Sequence, residues 1–149
     1  MKIKQGTILQ CTSQWPEDYF FGSRILITAR NEDGYIGFIL NKKFPRVLNE
    51  LVEFIDCPPF PLCEGGPVEH EKLFFIHSRP DLISGSLMLS DEWYYGGDFS
   101  QAVHYLNMGM LDERSLKIFI GYCGWDAGQL EAEMTSGEWL ELSDFDICS

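Results

Sequence analysis

A chain of 149 residues that is 45% hydrophobic and 23% charged is long enough to bury one ordinary core, and this composition excludes a disordered chain. No stretch approaches the roughly 18–20 apolar residues that a membrane-spanning helix requires. The net charge of −12 disfavours direct contact with nucleic acid or anionic lipid, both of which are bound through clustered Lys and Arg. We therefore expect one acidic domain over residues 1–149, with no membrane span and no direct contact with nucleic acid.

The charge is distributed unevenly along the chain. Lys42-Lys43 is the only adjacent basic pair, and no Lys or Arg follows Lys117. The segment after Lys117 is rich in Asp and Glu, which predicts a solvated acidic face. The N-terminus carries charges but lacks the apolar run of a secretion signal, so a cytoplasmic location is expected.

Three β-rich runs open the chain. Residues 7–11 predict a first strand. Residues 24–29 and 35–40 flank a turn that ends in Asp33-Gly34, which predicts a β-hairpin with the glycine in a left-handed position. Gly37, inside the second strand of this hairpin, indicates a β-bulge or the close approach of another backbone.

A helix is predicted to begin at Pro45. Proline suits the first position of a helix because the N–H that it lacks would be unpaired there in any case. Apolar residues then follow at helical spacing, at Val47, Leu48, Leu51, Val52 and Ile55. Cys57-Pro58-Pro59 is expected to end this helix.

The second half of the chain alternates strands and helices. Residues 73–77 and 85–89 predict strands. Asp98 predicts an N-cap with Gln101 as its reciprocal partner, and Gly109 is expected to end the helix that follows.

A last strand and a last helix are predicted near the C-terminus. Residues 116–121 alternate in the period of a strand, Cys123 and Gly124 predict a turn, and a capped helix is expected from near Asp126 to Gly137. Since strands and helices alternate along the chain, a mixed α/β fold with helices packed on a sheet is the expected class.

The cysteines indicate free thiols. They are odd in number and scattered, at Cys11, Cys57, Cys63, Cys123 and Cys148. This pattern is typical of a reducing compartment, whereas a secreted disulfide scaffold is denser in cysteine. Cys57, Cys63, His70 and His77 share one stretch, but their gaps are too wide for a local zinc site, so neither a metal nor a cofactor is predicted.

Several blocks, in their order along the chain, resemble the AlgH/YqgE family. The blocks are residues 34–42, Gly65-Gly66-Pro67-Val68, residues 73–77, Gly121-Tyr122-Cys123-Gly124-Trp125, Gly128-Gln129-Leu130-Glu131 and Trp139. The Gly-Tyr-x-Gly-Trp-x-x-Gly-Gln-Leu-Glu block is the specific one. The resemblance implies a mixed α/β fold with a strongly bent, twisted sheet. It also implies a bacterial protein of undefined biochemistry, in a family often labelled as transcriptional regulators.

The chain departs from the pattern of the resembling family at three places. Ser23-Arg24 stands where the family usually has Arg-Ser, and Lys43 replaces a proline after Asn41-Lys42. Cys123 stands where the family commonly has Ser or Ala, which argues against a required thiol.

The motif near residue 121 predicts the place of a binding site. A strand, a glycine-rich turn and a helix N-terminus would direct backbone N–H groups at a ligand. Asp126 would oppose an anion there, and no P-loop Lys follows the glycines. Alternatively, the glycines only permit a tight turn that Trp125 anchors. The candidate ligand- or partner-binding residues are Asn41, Gly65, Gly66, His77, Tyr122, Cys123, Gly124, Trp125 and Gln129.

Three functional readings remain open at this point. The favoured one is a non-enzymatic cytoplasmic protein that binds a partner protein. The family resemblance implies a regulatory role for it, which we do not expect to act through direct DNA contact. The second is a small-ligand binder or an enzyme around residues 121–129, in which Cys123 acts as nucleophile or redox sensor and His77 or His104 as its base. The third, direct DNA binding, is disfavoured by the charge.

Overall fold

The computed structural model describes residues 3–143 and 147 of the chain. Within these residues the chain forms ten strands, two α-helices and two 3₁₀ turns. The strands are β1 Ile8–Cys11, β2 Arg24–Asn31, β3 Gly34–Ile39, β4 Lys43–Val47, β5 Pro61–Glu64, β6 Val68–His77, β7 Leu87–Met88, β8 Tyr94–Tyr95, β9 Leu116–Asp126 and β10 Trp139–Leu142. The helices are α1 Phe99–Asn107 and α2 Gln129–Thr135, and the 3₁₀ turns are Leu48–Glu50 and Val52–Phe54.

The strands form one sheet in the order β10-β1-β2-β3-β9-β6-β8-β7, with β4 and β5 attached beside this path. Every described pairing is antiparallel except the one between β5 and β9, which is parallel. The expected mixed α/β class is confirmed, but strands outweigh helices more than the sequence indicates. Among the described residues, no helix is long and apolar enough to cross a membrane.

The central strand β9 bends at Gly121 and joins the two halves of the sheet. Residues 116–120 pair with β5 and β6, whereas residues 123–126 pair with β3. Between them Gly121 has a φ of +71°, and a Cβ on it would overlap the carbonyl oxygen of Gly66. The predicted turn at residues 123–124 is therefore wrong, since the chain continues as a strand to Asp126 and the helix begins only at Gln129.

The hairpin of β2 and β3 is confirmed. Asn31 pairs with Gly34 across a two-residue loop, and Gly34 has a φ of +135°. The register shifts between Ile27 and Ala29, next to Gly37, and a Cβ on Gly37 would lie 2.9 Å from the carbonyl oxygen of Leu26. The bulge and the close approach expected at Gly37 both occur.

The helix predicted from Pro45 is wrong. Residues 43–47 form β4, which pairs with β5, and Pro45 lies where their register shifts. Pro45 is tolerated there because no regular ladder requires its N–H. The apolar residues that follow do not share one buried face, since Leu48 is fully buried while 88% of Val52 is exposed. Pairing with β5 therefore prevails over the helical spacing.

Helix α1 shows which local signals determine its ends. The Asp98 side chain accepts a hydrogen bond from the Gln101 N–H at 3.3 Å, as predicted. The predicted reciprocal bond from Gln101 back to Asp98 does not form, because the Gln101 side-chain oxygen instead accepts from the N–H of Ser84 at 2.8 Å. Gly109 follows the end of the helix with a φ of +76°, as expected. The strand predicted for residues 85–89 is reduced to the two residues of β7.

Three clusters of buried side chains fill the interior. One packs against α1 and includes Leu106 and Ile118. A second lies under α2 and includes Trp125 and Leu130. The third includes Phe38, on the strand next to β9. Because β9 contributes to all three clusters, its bend determines where the candidate site residues lie.

Candidate functional site

Strand β9 places the predicted site residues on opposite faces of the sheet. Cys123 and Trp125 are buried in the cluster under α2, with 1% and 6% of their surface exposed. Tyr122 and Gly124 alternate with them along the strand and so point the other way. The strand therefore separates residues that the predicted strand–turn–helix pocket would have grouped.

A cleft of about 330 Å³ lies on the Tyr122 and Gly124 face. Its lining includes the carboxylates Asp33 and Asp126 at the tip of the β2–β3 hairpin and the end of β9. Among the described residues, no Lys, Arg or His lines this cleft. Two carboxylates without a cation oppose an anionic ligand, as the sequence predicts from Asp126.

On the other face, three side chains converge on Glu133 of α2. Its Oε1 accepts hydrogen bonds from the indole N–H groups of Trp125 at 3.1 Å and Trp139 at 2.9 Å. Its Oε2 accepts from the Gln129 side chain at 3.0 Å. We call these four residues the Glu133 node. The node ties α2 to β9 and β10, so Trp125 and Gln129 have a bracing role in the fold.

Gln129 also determines where α2 begins. Its side-chain oxygen accepts a hydrogen bond from the Asp126 N–H at 2.9 Å. Asp126 itself is not the N-cap, because Gly128 occupies that position with a φ of +82°. The capping box predicted for residues 126–129 is thus half correct, since the glutamine bond forms without the aspartate cap.

Cys123 lacks the environment of a reactive thiol. It lies in mid-strand, not at a helix N-terminus, and its Sγ contacts the carbonyl oxygen of Gly65 at 3.4 Å. Burial, with a smaller contribution from the Glu64 carboxylate, raises the pKa of this thiol to about 12. Cys123 therefore lacks the depressed pKa that a nucleophilic thiol requires.

The Gly65-Gly66 block connects strands through its backbone. Gly65 donates its N–H to the Ile120 carbonyl at 2.8 Å and accepts from the Ile39 N–H at 3.0 Å. A Cβ on Gly66 would lie 2.5 Å from the backbone nitrogen of Cys123. These glycines allow the β5–β6 connection to cross β9 at close range.

Asn41 and His77 also bond to neighbouring backbone groups. The Asn41 side chain accepts from the Arg24 N–H and donates to the Gly22 carbonyl, both at 2.9 Å. His77 is fully buried, with Nε2 3.2 Å from the Gly96 carbonyl and Nδ1 accepting from the Arg79 N–H at 3.1 Å. Burial lowers the pKa of His77, which keeps the ring neutral at physiological pH.

The neutral state of His77 predicts a loss of stability on acidification. The unfolded chain takes up a proton near the ordinary histidine pKa, whereas the folded chain takes it up only at lower pH. The free energy of unfolding should therefore decrease as the pH falls from 7.5 to 5.5, and His77 contributes at most about 1.4 kcal/mol to this decrease. Urea unfolding of the parent and of His77→Gln at both pH values measures the effect. Equal pH dependence in the two chains would contradict the assignment.

Four residues that sequence reasoning did not select form a polar cluster beside the Gly65-Gly66 block. The His70 Nε2 lies 2.7 Å from both Glu64 carboxylate oxygens, and the Tyr19 hydroxyl donates to Glu64 Oε2 at 3.2 Å. The Lys42 ammonium lies 3.9 Å from the centre of the Tyr19 ring. We call Tyr19, Lys42, Glu64 and His70 the Glu64 cluster. Burial and the Glu64 carboxylate raise the pKa of Tyr19, so its hydroxyl stays protonated.

The contacts of the Glu64 cluster suit a structural role, in which it attaches Tyr19 to β5, better than a catalytic one. Its carboxylate is largely enclosed, with 14% of the side chain exposed, and is occupied by two donors. The described residues contain no group of three or more His, Cys, Asp or Glu side chains that could hold a metal ion. Glu64 directly precedes the Gly65-Gly66 block, but Tyr19 lies 45 residues away from it along the chain, so nothing in the sequence indicates that the two side chains meet.

Residues 12–23 form a surface segment that we call the aromatic loop. It exposes 66% of Trp15, 41% of Tyr19 and 46% of Phe21. The Tyr19–Glu64 hydrogen bond holds its middle, and the Thr12 hydroxyl donates to the Gly137 carbonyl at 2.6 Å near its start. Three large aromatic side chains are therefore displayed on a segment that is bonded to the body of the protein.

Relatives of known sequence cover most of this chain. A UPF0301 protein of Chlorobium limicola is 36% identical over 138 residues, which are 93% of this chain and 74% of the relative. A UPF0301 protein of Parabacteroides distasonis is 38% identical over 137 residues, which are 91% of this chain and 69% of the relative.

Solved structures share the fold, and a family model covers nearly the whole chain. The AlgH protein of Pseudomonas aeruginosa superposes with a TM-score of 0.74 at 25% identity, covering 97% of this chain and 82% of that one. A Corynebacterium diphtheriae protein, 19% identical, superposes with a TM-score of 0.77 over 97% of this chain and 78% of that one. The model of the family described as AlgH-like matches residues 8–146, which confirms the resemblance found in the sequence. The chain therefore belongs to the AlgH-like family of bacterial proteins.

Proposed function

We propose that this protein acts by binding a partner protein through the aromatic loop, without catalysing a reaction. The observation that carries the proposal is the exposure of Trp15, Tyr19 and Phe21 on one short segment. Aromatic side chains dominate the binding energy of protein interfaces because they bury a large area at a small cost in conformational entropy. Two of the groups considered for catalysis, by contrast, are occupied: Cys123 is buried with a raised pKa, and His77 bonds to backbone on both nitrogens.

The aromatic loop is held in place before a partner arrives. Phe20 packs edge-on against Trp139, with ring centroids 5.5 Å apart, and so connects the loop to the Glu133 node. Tyr19 bonds to Glu64, and the Asn41 side chain holds the far end of the loop at Gly22. Because these contacts already order the segment, binding need not supply the full entropy of ordering it.

The charge of the chain indicates the chemistry of this partner. A net charge of −12 attracts a surface rich in Lys and Arg and speeds the encounter with it. The same charge opposes duplex DNA, so any regulatory role acts through the bound protein. Cys11, Cys57, Cys63 and Cys123 are free thiols, which supports a cytoplasmic setting. Cys148 lies outside the described residues.

A site-specific cross-link tests the proposal. Phe21 is replaced by the photo-reactive benzoylphenylalanine, and the chain is irradiated in cells of its own bacterial source. We expect one dominant protein adduct that is lost when Trp15→Ser is added, because the neighbouring aromatic contributes to the same interface. Mass spectrometry identifies the partner in the purified adduct. The binding of that partner to the unmodified chain is then measured.

The matched control places the same photo-reactive residue at Leu87, which is 58% exposed on β7. The same adduct from both positions, or no adduct from position 21, would refute the aromatic loop as the binding surface. Saturable, salt-sensitive retention of duplex DNA by the purified chain would replace a protein partner with direct DNA contact.

A further inference from the structure

A groove of about 640 Å³ lies between β4, the two 3₁₀ turns and the first half of β6. This volume is within the range of about 300–1,000 Å³ in which proteins enclose ligand groups. One wall exists because β6 arches away from β9. The register passes from Val68 opposite Tyr122 to Leu73 opposite Ile120, so residues 69–72 have no partner on β9.

The floor of the groove is apolar and aromatic. Phe44, Leu51, Phe54, Leu73 and Phe99 line it and are only partly buried against the cluster under α1. Covering apolar surface that stays open beside a core lowers the free energy by about 25 cal/mol per Å². The groove therefore favours an occupant with bulky apolar side chains.

The apolar surface continues past the rim of the groove. Val52 lines the groove and is 88% exposed, and Ile55, three residues further along, is 68% exposed. A small molecule enclosed by the groove would leave Ile55 uncovered. An occupant that covers both residues must extend along the surface, as an amphipathic peptide segment does.

The charges around the groove are unbalanced towards the acidic side. Its lining contains Glu50, Glu53 and Glu71 against Arg46 and Lys72. It also contains His70, whose Nε2 lies 2.7 Å from the Glu64 carboxylate. The Lys72 ammonium is already paired with the Glu69 carboxylate at 2.9 Å, so it offsets little of the remaining charge. With a chain charge of −12 behind it, the rim attracts cationic groups.

From these observations we infer that the groove binds a basic amphipathic segment of a partner protein. Its apolar side chains fill the floor between Phe44, Phe54 and Phe99, and its Lys or Arg side chains meet Glu53 and Glu71 at the rim. None of the residues that line this groove belongs to the aromatic loop, although His70 in the lining bonds to the Glu64 carboxylate that also accepts from Tyr19. The groove would bind its segment whether or not the loop binds a protein. The two surfaces would give the chain two points of attachment.

A designed peptide tests the inference on the intact chain. The probe is a fluorescein-labelled peptide of about 15 residues with Leu at i, i+3, i+4 and i+7 and Lys elsewhere, which is long enough to form a helix on binding. Fluorescence anisotropy measures its Kd. We expect saturable binding that Glu53→Gln with Glu71→Gln weakens about fivefold or more, and that Val52→Ser also weakens about fivefold.

Matched controls distinguish binding of the probe in the groove from attraction of the probe to the general negative charge of the chain. Glu92→Gln with Glu113→Gln removes the same charge from exposed carboxylates elsewhere, and Leu87→Ser removes an exposed apolar side chain from β7. These variants, and Trp15→Ser with Phe21→Ser, should bind the probe like the parent. Equal weakening by both Glu→Gln pairs would show unspecific attraction and refute the inference. So would equal binding of a probe in which Glu replaces every Lys, or an unchanged Kd for Val52→Ser.

Discussion

Replacing Gly121 with alanine should lower the free energy of unfolding by about 2–5 kcal/mol, the sum of a left-handed backbone penalty and a steric overlap. Gly121 has a φ of +71°. A Cβ there would overlap the Gly66 carbonyl oxygen and lie 3.0 Å from that of Val68. Both obstacles are backbone atoms, which cannot rotate away as a side chain could. Since β9 joins both halves of the sheet at this residue, the strain would spread to β3, β5 and β6.

Gly128→Ala is the matched control for this prediction. Gly128 has a similar φ of +82°, but a Cβ on it would meet no atom within 4 Å. It should therefore cost only the backbone penalty of about 1–2 kcal/mol. Urea unfolding of both variants separates the conformational effect from the steric one. If Gly121→Ala cost no more than Gly128→Ala, the close approach of Gly66 would not constrain β9.

The parts of the fold that the sequence predicts correctly are those whose signals are local. The β2–β3 hairpin follows from Asp33-Gly34 between two β-rich runs, and α1 begins at the Asp98 cap and ends before Gly109. In each of these elements the deciding contacts lie within a few residues of one another. Sequence alone is sufficient there because few competing arrangements exist.

The errors arise where distant strands decide the outcome. Pro45 and the apolar residues after it match a helical period, but pairing with β5 holds residues 43–47 as a strand. Gly121 and Gly124 resemble a turn, but β3 pairs with residues 123–126 and keeps them extended. In both places a tertiary contact overrides a local preference.

The candidate site was predictable only in part, for the same reason. The motif containing Trp125 and Gln129 was selected, but the strand alternation that separates Cys123 from Gly124 depends on β9 continuing past Gly121. The Glu64 cluster could not be found, since Tyr19 meets Glu64 only when the aromatic loop folds over β5. Glu133, which accepts from both indoles, could not be found either, because the two tryptophans lie before and after α2.

Replacing Trp125 with alanine should lower the free energy of unfolding by about 3–5 kcal/mol, the usual effect of removing a large buried aromatic side chain. Trp125 is 6% exposed, and its ring meets that of Trp139 edge-on with centroids 6.0 Å apart. Its loss opens a cavity under α2 and removes one of the two indole donors to Glu133. Thermal and urea unfolding measure the effect, which is a large part of the stability of an ordinary domain.

Two further variants divide this effect into packing and hydrogen bonding. Trp125→Phe keeps most of the ring but removes the N–H, and it should cost less than Trp125→Ala because Glu133 Oε1 retains the Trp139 indole at 2.9 Å. Cys123→Ser, on the same face of β9, should cost less than Trp125→Ala because the hydroxyl can replace the thiol at the Gly65 carbonyl. If Trp125→Ala unfolds like the parent but abolishes the cross-link at position 21, the indole acts in recognition and not in the fold. If Cys123→Ser alone abolishes that cross-link, the thiol carries the function despite its burial, and the aromatic loop only covers it.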